Sequence, residues 1–301
     1  MNLTVGIVRR RSTVRVVGSY VSLMKPRIIE LLLITTVPAM IVAKQGIPNI
    51  WLVVMTLVGG TLSAGGANAV NMWVDRDIDS IMKRTQKRPL VTGEISPSAA
   101  LAFAVSLEVA AFLVLAVAVN LLSAVLSLAA ALFYIFVYTL WLKRTSSQNI
   151  VIGGAAGAAP VLVGWAAVTN SVSWTPLIMF LIIFLWTPPH FWALAFRYKD
   201  DYAKANVPML PAVATAKRTA SEIVIYTVLL WVVTLVLVPV AHLGMIYSVS
   251  ALALGGAFFA YTVRLYRDCS PKLAMRVFSF SIYYLTLLFL AMGIDIFVRL
   301  R

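Results

Sequence analysis

Long apolar runs alternate with short polar connections over almost the whole chain. A helix that crosses a bilayer needs about 17–25 mostly apolar residues. Nine runs approach or reach that length and predict transmembrane helices at Ile28–Ala43, Trp51–Val74, Ala99–Leu121, Ser123–Leu142, Ile150–Thr169, Trp174–Phe196, Glu222–His242, Tyr247–Val263 and Val277–Val298. The connections contain turn residues, for example Ser96-Pro97 and Ser270-Pro271. The pattern therefore predicts an all-α, polytopic membrane protein with nine transmembrane helices.

The composition supports this prediction and excludes several kinds of site. Hydrophobic residues make up 61% of the 301 residues and charged residues only 12%, whereas soluble domains carry about a quarter. The chain has one cysteine, Cys269, and two histidines, His190 and His242. A disulfide framework is therefore excluded, and a zinc or iron site with several sulfur or imidazole ligands is disfavoured.

The net charge of +14 could indicate a nucleic-acid partner, but the positions of the charges argue against one. All but three of the 25 lysines and arginines fall before the first predicted span or after the second, fourth, sixth and eighth. The exceptions are Lys44, Arg299 and Arg301. Basic residues concentrate on the cytoplasmic side of membrane proteins, so the basicity reports topology and no nucleic-acid partner is expected.

The same distribution predicts the organisation of the chain. Residues 1–27 are expected to be a cytoplasmic N-terminal segment, followed by one transmembrane domain over residues 28–301 with its C-terminus outside. A short apolar stretch with a small-residue cleavage site does not follow the basic N-terminus. We expect a multi-pass protein of the plasma membrane, with an organellar presequence as the alternative.

Three oxygen-bearing side chains are spaced four residues apart where the second span ends. Asn71, Asp75 and Asp79 share one stripe of a helix. Three of the 11 acidic residues fall between positions 75 and 79, and carboxylates one turn apart repel each other. Carboxylate and amide oxygens without histidine or cysteine suit Mg²⁺. The stripe predicts a magnesium site, and the alternative is an ordinary solvated helix end.

Basic residues follow the stripe directly. Lys83, Arg84 and Arg88 could be a topology signal alone, or they could bind diphosphate oxygens next to a metal. Arg84 and Arg88 are four residues apart and could share a face. Lys143 and Arg144 are read first as a topology signal and second as a diphosphate contact.

A second charged cluster ends the sixth span, where Asp200 and Asp201 stand among basic residues that include Lys204. Both clusters are expected on the cytoplasmic side, so they can converge on a central cavity open to that side. Two such clusters suggest two Mg²⁺ ions on one diphosphate. This arrangement would neutralise the leaving group of an allylic diphosphate, and a dry cavity would protect the allylic cation.

The Asn71, Asp75 and Asp79 stripe resembles the first signature of the UbiA superfamily of membrane prenyltransferases. The segments that resemble its haem-farnesylating branch are Lys25–Arg27, Asp75–Asp79, Arg84–Pro89, Asn149–Gly154, Gly164–Val168, Thr187–Ala195, Tyr198–Tyr202 and Val207–Pro211. The C-terminal third matches only in hydropathy. Many members carry a second Asp-xxx-Asp motif, but here Tyr198 and Tyr202 flank Asp200 and Asp201, which leaves the ligands of the second metal open. Asn206 stands where glycine is expected.

The resemblance implies Mg²⁺-assisted transfer of a farnesyl group from farnesyl diphosphate to a vinyl group of haem b, which gives haem O. It implies diphosphate contacts from Lys83, Lys143, Arg144 and Lys204, and a haem-handling or oxidase-assembly partner. From its position alone His190 is read as a structural histidine, whereas the resemblance implies a role in the haem site, by iron ligation or a propionate contact.

Two other functions remain open. A sister prenyltransferase would act on an aromatic or lipid acceptor. A secondary transporter of an anionic solute should show breaks at the middle of the membrane, whereas the charged clusters here lie at one face.

Overall fold

The computed structural model of the chain describes residues 13–299, except for the side chains of residues 13, 14, 27, 28 and 31–33. Four basic positions used to predict the topology, Arg9, Arg10, Arg11 and Arg301, lie outside the described residues, as does the side chain of Arg27.

Every regular element in the described part of the chain is a helix. The helices are α1 (Thr13–Met24), α2 (Pro26–Lys44), α3 (Ile50–Val74), α4 (Arg76–Ile81), α5 (Pro97–Ala118), α6 (Leu121–Leu132), a π-helical segment (Phe133–Leu142), α7 (Lys143–Thr145), α8 (Asn149–Thr169), α9 (Trp174–Arg197), α10 (Lys199–Lys204), α11 (Leu210–Val213), α12 (Ala216–Val240), α13 (Met245–Asp268) and α14 (Pro271–Arg299).

The prediction of an all-α polytopic membrane protein is confirmed. Among the described residues, eight helices are long and apolar enough to cross a membrane, and one of them runs without a break from Leu121 to Thr145. The first predicted span coincides with α2, but its described apolar part, Ile34–Lys44, is shorter. The total of nine spans therefore stays a prediction.

Polar side chains fix where several of these helices begin. Asn49 accepts hydrogen bonds from the backbone N–H groups of Trp51 and Leu52, and Ser96 caps α5 in the same way. Asn120 caps α6. Leu121 therefore begins α6, although its apolar character places it in the preceding predicted span. Such caps satisfy N–H groups that lack a partner in the first turn.

Small residues let neighbouring helices approach closely. A Cβ atom at Gly164 would lie 2.8 Å from the carbonyl oxygen of Thr36, so this glycine sets the contact between α8 and α2. A Cβ at Gly255 would overlap the indole of Trp231 on α12. Close backbone approach through small residues is typical of helix packing in membranes.

The π-helical segment joins α6 to α7 and determines how the next residues are oriented. Its hydrogen bonds span one residue more than those of an α-helix, so each turn holds an additional residue. The segment leads directly into Lys143 and Arg144 at the end of the bundle where α3 ends and α2 and α8 begin. We call this end the carboxylate end, because Asp75 and Asp79 lie there.

Candidate active site

The predicted stripe of Asn71, Asp75 and Asp79 forms one continuous helical face. The backbone N–H of Asp75 donates to the carbonyl of Asn71 at 2.9 Å, and that of Asp79 donates to the carbonyl of Asp75 at 2.8 Å. The helical hydrogen-bond pattern thus continues through the junction between α3 and α4. All three side chains are buried, which is expensive for carboxylates unless they are paired.

Asp75 is the most enclosed carboxylate of the stripe, with no accessible surface. Its Oδ2 accepts a hydrogen bond from Nδ2 of Asn71 at 2.8 Å and forms an ion pair with Lys143. Its Oδ1 is enclosed and accepts no hydrogen bond within the described chain, and Nη2 of Arg144 lies 3.7 Å away. A buried carboxylate oxygen without a hydrogen bond is available to a further ligand.

Asp79 binds a different cation. Nη1 of Arg88 lies 2.6 Å from Oδ2 of Asp79, and the hydroxyl of Thr85 donates to the carbonyl oxygen of Asp79 at 3.0 Å. The chain after α4 therefore folds back over the stripe. Arg88 therefore lies at the carboxylates and neutralises one of them, while its predicted contact with diphosphate stays a prediction.

Lys25 belongs to this site, whereas the sequence analysis counted it as a topology signal and as part of the resembling segment Lys25–Arg27, not as a site residue. Its Nζ donates to Oδ1 of Asn71 at 2.6 Å. Nδ2 of Asn68 donates to the backbone carbonyl of Met24, the residue before Lys25, at 3.0 Å. Burial, followed by the charges of Arg88 and Lys143, lowers the pKa of Lys25 to about 7. The one local signal was the position of Lys25 directly before Pro26, which starts α2.

The π-helical segment supplies an uncharged wall to the same site. The hydroxyl of Thr139 accepts a hydrogen bond from Nδ2 of Asn71 at 3.1 Å. Tyr134 and Tyr138 stack with ring centroids 5.3 Å apart, and Gly153 on α8 leaves the room that Tyr138 occupies. The sequence analysis identified none of these contacts, because they join residues far apart in the chain.

Arg84 connects the two polar loops. Its Nη2 donates to the hydroxyl of Tyr202 at 3.1 Å, and its guanidinium lies 5.5 Å from the centre of that ring. The loop after α4 and helix α10 therefore meet at the carboxylate end, as the sequence analysis expected. In this structure the partner of Arg84 is a tyrosine of α10.

The carboxylates of α10 are less enclosed than those of the stripe. Asp200 is exposed and Asp201 is half-buried, and Lys204 at the end of the same helix is also exposed. Among the described residues, no three histidine, cysteine or acidic side chains form a group that could hold a metal. A site that joins Asp200 and Asp201 to the stripe therefore stays a prediction.

The other predicted diphosphate contacts divide into two kinds. Arg144 forms a two-pronged ion pair with Asp77, at 2.7 and 2.8 Å, and this pairing lowers the pKa of Asp77 to about 2. Lys83 is exposed and, like Lys204, makes no ion pair or hydrogen bond within the described part of the chain. Their role in binding diphosphate stays a prediction.

His190 lies apart from the stripe, in the contact between α9 and α14. Its ring stacks on Trp186, with centroids 4.2 Å apart, and on Phe278 at 4.6 Å. Nδ1 of His190 lies 2.6 Å from the hydroxyl oxygen of Ser281. The side chain is buried, so position alone would favour a structural role, as the sequence analysis found.

Comparison with known proteins identifies the family. The profile of the UbiA prenyltransferase family matches residues 32–292. The chain belongs to this family. A protoheme IX farnesyltransferase of Clavibacter sepedonicus is 55% identical over 97% of this chain and 94% of its own length. A protein of the same name from Streptomyces coelicolor is 52% identical over 94% of this chain and 92% of its own.

Solved structures show the UbiA fold. The structure of a digeranylgeranylglyceryl phosphate synthase matches 94% of this chain and 99% of its own, with a TM-score of 0.78 and 17% identity. A UbiA homolog from Archaeoglobus fulgidus bound to GPP and Mg²⁺ matches 93% of this chain and 99% of its own, with a TM-score of 0.66 and 18% identity. The prediction of a UbiA prenyltransferase is confirmed.

Family membership excludes one of the two alternatives left open by the sequence. A UbiA prenyltransferase is a membrane enzyme, so the transporter interpretation is wrong.

The residues present also fit a magnesium ion, because Asp75 has an enclosed oxygen without a hydrogen bond and all the oxygens of the stripe belong to carboxylate or amide groups.

Proposed function

We propose that this prenyltransferase transfers the farnesyl group of farnesyl diphosphate to a vinyl group of haem b, which gives haem O. The observation that carries the proposal is 55% identity over 97% of the chain to a protoheme IX farnesyltransferase. That identity extends over both polar loops and over the helices between them.

The carboxylate end provides the diphosphate site. Asn71, Asp75 and Asp79 would hold Mg²⁺, with Asp200 and Asp201 of α10 as further ligands. The bound ion neutralises charge on the leaving diphosphate. Lys143 and Arg88 pair with the carboxylates of Asp75 and Asp79, and these two cations would turn to the diphosphate oxygens once the metal binds the carboxylates.

The reaction begins when the bond between C1 of the farnesyl group and the diphosphate oxygen breaks, with the electron pair leaving on oxygen. Lys25, Lys143 and Arg88 stabilise that charge, because positive groups held in a buried site need little reorganisation. The π electrons of a haem vinyl group then form the new carbon–carbon bond to C1. A water molecule adds to the resulting cation and loses a proton, which leaves the hydroxyl group.

Arg84 and Tyr202 are proposed to close the site. They join the loop after α4 to α10, so movement of this pair would admit and release diphosphate. Lys83, Arg144 and Lys204 belong to the same polar loops and helix ends and would attract the anionic substrate. A haem-handling or oxidase-assembly partner would take the product, and the plasma membrane is the proposed location.

The test uses the full chain in nanodiscs with haem b, farnesyl diphosphate and Mg²⁺. We expect a haem product whose mass has gained one farnesyl group and one hydroxyl group, and we expect its formation to stop in excess EDTA. Asp79→Asn should abolish turnover, whereas Asp268→Asn, an exposed acid at the end of α13, should not. Prenylation of 4-hydroxybenzoate without any haem product would instead show a sister prenyltransferase.

A further inference from the structure

The ring of His190 can offer only an edge to a ligand, because its faces are covered by other rings. Trp186 stacks at 4.2 Å with 20° between the planes, and Phe278 stacks at 4.6 Å with 30°. Phe191 stands edge-on at 5.2 Å. Within the described chain no carboxylate or cation forms a hydrogen bond or ion pair with this imidazole. An imidazole in such surroundings is neutral, since burial disfavours the charged form.

The hydrogen bonds of Ser281 determine which ring nitrogen carries the proton. The hydroxyl of Ser281 lies 2.6 Å from the carbonyl oxygen of Phe278, to which it donates. A hydroxyl has only one proton to donate. The contact of 2.6 Å between the hydroxyl oxygen and Nδ1 of His190 must then be a hydrogen bond donated by Nδ1. In a neutral imidazole with a proton on Nδ1, Nε2 carries a lone pair.

Ser281 is itself held in place by α9. Nε1 of Trp186 donates to the backbone carbonyl of Ser281 at 2.8 Å. Trp186 therefore covers one face of His190 and also fixes the residue that binds Nδ1. This triangle of Trp186, His190 and Ser281 determines both the plane and the tautomer of the imidazole, and both are set before any ligand arrives.

We propose that Ser281 is a positioning residue that fixes the Nδ1-protonated tautomer of His190, so that Nε2 ligates the iron of the haem substrate. The inference rests on the proposed function. A neutral Nε2 with a lone pair can bind iron but cannot donate a hydrogen bond to a propionate. Of the two haem-site roles implied for His190, this tautomer therefore fits iron ligation and not the propionate contact. A hydrogen bond from the other ring nitrogen orients a histidine ligand and raises its basicity.

The tautomer can be measured without haem, because the chain has only two histidines. The protein is labelled with ¹⁵N-histidine and its ring nitrogens are observed by NMR in nanodiscs. His242→Asn assigns the two rings, and asparagine tolerates the positive φ of 49° at that position. We expect His190 to be protonated at Nδ1 in the wild type and to become a mixture of tautomers in Ser281→Ala. A wild-type ring protonated at Nε2 would overturn the proposal.

Haem binding supplies the second measurement. Ferric haem b is titrated into the wild type, His190→Ala, Ser281→Ala and Ser281→Thr, and its absorption and EPR spectra are recorded. The wild type should show a nitrogen-ligated iron that His190→Ala loses. Ser281→Ala should weaken haem binding about 10- to 100-fold, and Ser281→Thr, which keeps the hydroxyl, should restore it. Affinity for a non-hydrolysable farnesyl diphosphate analogue should stay unchanged throughout.

The outcomes separate this inference from the proposed function. If the wild type farnesylates haem but His190→Ala and Ser281→Ala leave the iron spectrum unchanged, the positioning role is refuted while the proposed function stands. If the wild type neither binds nor farnesylates haem, both are refuted. If Ser281→Ala does not fold, the wild-type tautomer and the spectrum of His190→Ala still decide, since the proposal requires a proton on Nδ1 and ligation lost with the imidazole.

Discussion

The ion pair between Lys143 and Asp75 allows the metal site to be tested without substrate. The side chain of Lys143 is 13% exposed and that of Asp75 is fully buried. Lys143→Met keeps an unbranched chain of similar length and removes only the charge. If Asp75 is a magnesium ligand, the ammonium of Lys143 competes with the metal for the charge of the same carboxylate. Removal of the ammonium should lower the stability of the protein without Mg²⁺ and strengthen Mg²⁺ binding.

The magnitude depends on the groups that remain around Asp75. Removal of one partner of a buried ion pair costs about 3–5 kcal/mol. Asn71 still donates at 2.8 Å, and Arg144 still lies 3.7 Å from the other oxygen. Unit charges about 4 Å apart attract by about 4 kcal/mol at an effective dielectric constant of about 20, but the side chain of Arg144 is 34% exposed and also binds Asp77. We expect a loss near the lower limit, about 3 kcal/mol.

The assay is the free energy of unfolding from SDS titration in mixed micelles, with and without Mg²⁺. At a concentration ten times its dissociation constant, an ion that binds only the folded state adds about 1.4 kcal/mol. Lys143→Met should reach that gain at a lower Mg²⁺ concentration than the wild type. Lys217→Met is the matched control, because Lys217 contacts the carbonyl and ring of Tyr266 away from the stripe. Equal stability and equal Mg²⁺ response in Lys143→Met and the wild type would refute the reasoning.

Three further predictions concern the loops, the far end of the bundle and the topology. Arg84→Lys keeps the charge but loses the planar guanidinium that contacts the ring of Tyr202. We expect kcat/KM for farnesyl diphosphate to fall about tenfold, or about 1.4 kcal/mol. Wild-type kinetics in this variant would exclude a role of Arg84 in closing the site. Asp295→Ala removes two hydrogen bonds at the start of α13 and should lower the thermal midpoint without changing KM, measured on the same preparation. A reporter fused after Arg301 should lie outside the cell, and a reporter inserted within residues 83–94 should lie in the cytoplasm. If both reporters lay on the same side of the membrane, the predicted odd number of spans would be contradicted.

The helices and the stripe could be predicted because both depend on local periodicity. Apolar runs long enough to cross a membrane located every long helix of the described chain, with ends that differ by up to six residues, as at the start of α12 and α14. Spacing by four placed Asn71, Asp75 and Asp79 on one face. The boundaries that failed, such as Leu121, depend on a cap rather than on hydropathy.

Two partners of the stripe, Lys25 and Lys143, could not be predicted as such, because they come from distant parts of the chain. Lys25 reaches Asn71 across 46 positions, and Lys143 reaches Asp75 across 68. In the sequence both lysines match the topology signal, since a basic residue before or after a span is expected in any case. Which of these charges turns inward depends on helix packing and is not encoded in local spacing.

Two intramembrane acids have no role that the sequence alone suggests. Asp295 is buried and accepts hydrogen bonds from the backbone N–H groups of Gly244 at 2.6 Å and Tyr247 at 3.2 Å, so it caps the start of α13. Glu108 accepts a hydrogen bond from the hydroxyl of Ser63 at 3.2 Å, between α5 and α3. Acids within the membrane often indicate function, but these two tie helices together at a distance from the stripe.

The π-helical segment Phe133–Leu142 makes the active site sensitive to the length of one helix. An α-helix turns about 100° for each residue, and a π-helical turn accommodates an inserted residue without breaking the helix. If the same residues wound as an α-helix, the extra residue would turn the polar end that carries Lys143 by about 100° relative to α3. The π-helical winding therefore faces Lys143 towards Asp75. A relative that is one residue shorter in this span would keep the same pairing only if the span were α-helical.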